Sequence, residues 1–92
     1  MTQQYIVGEF SALISTLDPG PGGWLARAVH ALRSRVESAP PGALPALAAE
    51  AATLADMICW AMLEQGDTAA FARHAAAGAL LYEFAVSANL LP

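Results

Sequence analysis

His30, His74, Cys59 and eight carboxylates are the side chains of this chain that could hold a metal, attack a substrate or move a proton. Their spacing argues against each of these roles. Structural and catalytic zinc sites draw on ligands a few residues apart, yet neither histidine has a ligand at i+3 or i+4, and Glu-x-x-His does not occur. His30 shares a helical face with Arg27, Ser34 and Glu37, which predicts a solvated histidine. Cys59 has no Cys-x-x-Cys partner and no nearby cation to activate its thiol. It is expected to be a small buried hydrophobe packed between Ala55 and Leu63.

Other chemistry fails on similar grounds. The segment DPGPGG (18–23) is glycine-rich, but two of its residues are prolines without N–H donors. It also lacks a lysine and a preceding strand, so it is a turn and not a phosphate loop. Trp24, next in the chain, is expected to fold back over the end of the domain. Arg27, Arg33 and Arg35 make a locally basic face. Nucleic-acid binding usually draws on more phosphate contacts and on a groove-entering element. A solvated face, or an acidic protein partner, suits three arginines better. No nucleophile elbow is present, and paired carboxylates would have to come from distant segments. The chain is therefore expected to be non-enzymatic, with no metal, no cofactor and no nucleic-acid partner.

The elements that carry these residues are all helical. β-branched residues are few and never alternate over a useful length, so strand signals are absent. DPGPGG and APPGALP (39–45) are breakers that a helix does not cross. In QGD (65–67), Gly66 suits a helix C-terminus and Asp67 the next N-cap. Four helices are predicted, at about 3–16, 23–38, 44–65 and 67–88. Helix one gathers Ile6, Phe10, Leu13, Ile14 and Leu17 on one face, and helix two gathers Leu25, Ala28, Val29, Leu32 and Val36. Short connections favour antiparallel neighbours, so the expected fold is all-α: one domain over residues 1–92, built as a compact four-helix bundle or as two stacked antiparallel helical hairpins. The QGD hairpin resembles one tetratricopeptide unit at its Gly-Asp turn and at Ala75 and Gly78. Phe71 stands where that family prefers alanine and a single unit cannot stack, so the resemblance assigns no family.

Composition narrows the setting. Apolar residues make up 57% of the 92 and charged ones only 13%, which excludes disorder and leaves few charges to coat a monomer. Twenty-two alanines account for much of the apolar excess, and the four cations are all arginine. Such usage points to a GC-rich bacterial genome. A net charge of −4 disfavours non-specific attraction to nucleic acid or to an anionic membrane. The single cysteine gives no sign of an oxidising compartment. Neither a signal peptide nor a run of about 18 uncharged apolar residues is visible, so a cytoplasmic protein is expected.

Helix four raises a harder question. Phe71, Ala75, Gly78, Tyr82, Ala85 and Val86 fall on one broad face, and Ala77, Leu80, Leu81, Phe84, Ala88 and Leu91 on another. Helix three has a main face of Leu47, Ala51, Leu54, Ile58 and Met62, with Met57 and Trp60 outside it. A helix in a small bundle shows one side to water. Surplus apolar faces on two adjacent helices therefore predict an association surface, with Met57, Trp60, Leu80, Leu81 and Phe84 as its anchors. The expected function is a protein–protein interaction module, adaptor, regulator or assembly subunit, homodimeric through helices three and four. The alternative is a carrier or sensor of a small apolar ligand, held in a cavity among Trp60, Ala75, Gly78 and Tyr82.

Overall fold

The computed structural model describes residues 3–20 and 22–92. Met1, Thr2 and Pro21 lie outside the described residues, the last of them inside the expected turn 18–23. Four helices form: α1 (Gln3–Ile14), α2 (Gly23–Ser38), α3 (Leu44–Glu64) and α4 (Thr68–Ser87). α1 ends two residues earlier than its apolar spacing predicts. The Ser15 and Thr16 hydroxyls donate to the carbonyls of Ser11 and Leu13, at 2.9 and 2.6 Å. The backbone meanwhile tightens to i→i−3 bonds at Thr16 and Leu17. Side chains that bond back to the helix compete with its continuation, and Asp18, preceding Pro19, is disfavoured in the α region.

The remaining boundaries follow local chemistry. Pro41–Ala43 is a 3-10 turn that runs straight into α3, whose first turn tolerates Pro45 because that N–H would have no partner. Gly66 closes α3 at φ 74°, a left-handed conformation that glycine adopts without a Cβ clash. Its N–H bonds to Leu63 O at 3.0 Å, and the Asp67 N–H bonds to Met62 O at 3.1 Å. These two bonds make a Schellman closure. Asp67 then opens α4 by accepting from the Ala70 N–H at 3.0 Å. One dipeptide thus stops one helix and starts the next.

The helices pack in ring order, α1 on α2, α2 on α3, α3 on α4 and α4 back on α1, which is a four-helix bundle. Its core holds Phe10, Ile14 and Leu17 with Val29, Leu32 and Val36 and the whole predicted main face of α3. Each large apolar side chain so buried contributes roughly 1.5–3 kcal/mol. On the outer surface Arg35 grips Glu50 of α3 through two contacts of 2.7 and 3.2 Å. Arg33 lies 3.4 Å from Glu37 and donates to Ser15 at 3.1 Å. The basic face of α2 is thus solvated, but two of its arginines are already paired within the chain.

One expectation about burial changes here. Trp24 is 56% exposed at the start of α2 and does not cover the end of the bundle. Pro41–Glu64 is long and apolar enough, by length and composition, to cross a membrane, although Glu50 and Asp56 interrupt it. In this fold the Leu47-to-Met62 face of that segment is the centre of the bundle core.

Candidate functional site

α3 and α4 form the most extensive contact in the molecule, and small side chains let them approach closely. A Cβ built on Gly78 would stand 3.4 Å from the Cβ of Ala55, so the two backbones have little more than a methyl group between them. Ala52 on α3 and Ala75 and Ala79 on α4 flank this contact. Because none of them reaches outward, the seam between the helices is open to solvent as an apolar groove of about 500 Å³. Trp60 and Tyr82 stand along it, 65% and 51% exposed. The cavity expected among Trp60, Ala75, Gly78 and Tyr82 thus exists, as an open groove and not an enclosed chamber.

The five expected anchors do not form one patch. Trp60 lines the α3–α4 groove. Met57, 38% exposed, instead lines a second groove of about 450 Å³ between α2 and α3, beside the Arg35–Glu50 pair. Leu80 is 57% exposed. At about 100° per residue it lies roughly 200° around α4 from Gly78, away from the groove. Leu81 is completely buried in the subunit and cannot anchor an external partner. Phe84 is half-buried and its ring packs against Phe10, centroids 6.3 Å apart at 44°. Leu81 is corrected from association surface to subunit interior, and Phe84 packs at the edge of the core with part of its ring still accessible. On one of the surplus apolar sides of α4, Leu81 and Phe84 are therefore covered within the subunit while Leu80 stays exposed, and the other side remains open as the groove.

His74 is the functional group that spacing alone did not single out. It is buried, and both ring nitrogens are engaged by backbone: Nδ1 lies 2.8 Å from Ala70 O, and Nε2 lies 2.7 Å from Asp18 O and 3.2 Å from the Asp18 N. The ring ties α4 to the α1–α2 connection at the base of the groove. Its partner Asp18 is 56 residues away in the chain, so no local pattern signals the contact. His30 is exposed, as expected.

The groove's electrostatics rest on Asp56. Among the described residues it is the only carboxylate or cation lining the groove, and it has no hydrogen bond or ion pair. Cys59 lines the groove beside it, half-buried where a buried hydrophobe was expected. Burial pushes its thiol pKa up, and the negative charge of Asp56 adds to the rise. The thiol is therefore held protonated and unreactive near neutral pH. Among the described residues no three His, Cys, Asp or Glu side chains are grouped to hold a metal ion. Comparison of the chain with protein families, with curated proteins and with solved structures gives no match.

Proposed function

We propose that this protein is a non-enzymatic helical interaction module that associates through the outer face of α3 and α4, in its simplest form with a second copy of itself. The observation that carries the reading is the pairing of a large exposed ring, Trp60, with a floor of alanine and glycine on the same surface. A two-fold interface joins one patch to itself, so that patch must offer both the projection and the recess that receives it. Trp60 is a projection of the type favoured at the centre of interfaces, and the open seam at Ala75, Gly78 and Ala79 offers an apolar recess for it. Exposed aromatic surface of this size also favours association on hydrophobic grounds. The module would act in the cytoplasm, as an adaptor, a regulator or a subunit of a larger assembly.

Sedimentation velocity at micromolar concentration is expected to show a species heavier than the 9.5 kDa protomer. A monomer at every concentration would exclude self-association and leave only a different protein as occupant.

The groove also favours a second reading, a carrier or sensor of a small apolar ligand. Its volume falls within the range of about 300–1,000 Å³ typical of ligand sites. Native mass spectrometry of gently purified protein tests this through the mass of any retained molecule; the adduct should be lost when Ala79→Phe fills the groove.

A further inference from the structure

The carrier reading leaves open what kind of ligand the groove selects, and the groove's charge and ring content bear on that choice. Resting on that reading, we propose that the α3–α4 groove binds amphiphilic organic cations. The apolar body of such an alkyl or aromatic amine lies on the alanine–glycine floor, and its charged end faces Asp56 and the Trp60 ring, one helical turn apart on α3.

Three observations converge on this class. The first is shape and polarity: a floor of Ala52, Ala75 and Gly78 offers apolar surface and no hydrogen-bonding side chain, so it selects hydrocarbon. The second is charge. Asp56 is an exposed carboxylate with no hydrogen bond or ion pair among the described residues, and it is the only acidic side chain lining the groove. Among the described residues no cation neutralises it: Arg33 and Arg35 are paired on another face, Arg27 and Arg73 do not line the groove, and both nitrogens of His74 face backbone. The third is the exposed ring of Trp60, four residues and so one helical turn from Asp56 on the same helix. Trp and Tyr faces attract cations through their quadrupoles, Trp most strongly, and such rings are the usual walls of sites for alkylammonium groups. An anionic amphiphile of equal length would meet the same floor but be repelled by Asp56. A neutral one would gain the floor alone.

The test is a fluorescence titration of the full chain carrying Trp24→Phe, so that Trp60 is the sole indole. Trp24 is exposed and lies outside the groove, which makes its replacement neutral to the site. Decyltrimethylammonium, decanol and decanoate are compared below their micellar concentrations, at submicromolar protein. The cation is expected to bind about tenfold more tightly than decanol, and decanoate more weakly than either. Asp56→Asn should erase the advantage of the cation while leaving decanol unchanged, and added salt should do the same in part. Ala79→Phe, which fills the groove from an exposed position, should abolish all binding.

Equal affinity for the cation and decanol would overturn the charge selection while leaving an apolar carrier intact. Preference for decanoate would overturn it outright. No binding of any of the three would remove both the selection and the carrier reading. Binding that survives Ala79→Phe would place the ligand elsewhere and refute the assignment of this groove.

Discussion

Trp60→Ala separates an association surface from ordinary packing, because the two assign different energies to one ring. Full burial of an aromatic side chain removes about 150–250 Å² from water. With 65% of Trp60 exposed, roughly a third of that area, about 50–90 Å², is covered within the subunit. At about 25 cal/mol per Å² this amounts to about 1–2 kcal/mol of folding stability. A core aromatic would cost about 3–5 kcal/mol. The exposed remainder, if covered by a second copy, is worth about 2 kcal/mol or more at a central position. That energy corresponds to roughly a thirtyfold rise in the dimer Kd. Sedimentation over a concentration series reads the Kd. Thermal melting followed by circular dichroism reads the fold, at a dilution where both proteins are monomeric, since the apparent stability of a dimer depends on protomer concentration. The expected result is a weakened dimer with a Tm lowered by about 5–15 °C. An unchanged Kd in a folded variant would refute Trp60 as an anchor, and a loss of 3 kcal/mol or more in the monomer would make it core.

Three further outcomes follow from the geometry. Leu81→Ala should destabilise the fold by about 2–5 kcal/mol, whereas the same change at its exposed neighbour Leu80 should cost under about 1 kcal/mol; chemical denaturation of the pair checks the corrected assignment. Asp67→Ala should remove the cap of α4 at a cost of about 1 kcal/mol, and Gly66→Ala should cost a similar amount by forcing an alanine to φ 74°, both measurable as Tm shifts. Alkylation of Cys59 by iodoacetamide should be slow at neutral pH and accelerate only above the range of an ordinary thiol. Asp56→Asn removes the charge that helps raise the pKa, so it should move that acceleration to lower pH, and an unshifted rate profile would contradict the proximity of the two groups.

How far the fold could be read in advance depended on the information in each helix. In α1, α2 and α3 the large side chains recur at helical spacing and are separated by polar or small ones, so one face alone can be the core. Phe10, Ile14, Val29, Leu32, Leu54 and Ile58 all lie where that pattern puts them. Proline clusters and the Gly66–Asp67 pair set most helix limits because they act locally. The exit of α1 escaped because hydroxyl back-bonding at Ser15 and Thr16 outweighed an apolar spacing that continued to Leu17.

α4 resisted for a different reason. With alanine or glycine at positions 69, 70, 72, 75–79, 85 and 88, its pattern scarcely distinguishes one side from another. The core stripe runs through Ala70, His74, Leu81 and Ala85, between the two faces that periodicity proposed. Its position is set by neighbours: Gly78 must meet Ala55, Phe84 must meet Phe10, and His74 must reach the backbone of Asp18. Each of those conditions involves a residue far away in sequence. Once they are met, Leu81 turns inward and Leu80, about 100° away, turns out. The same small residues that hide the core stripe also bring α3 and α4 together without filling the seam outside. The apolar surplus of α4 therefore has two separate origins. One part is core, sealed by α1 through Phe84, while the part along Trp60 and Tyr82 remains for an external partner or ligand to cover, with Leu80 exposed apart from both.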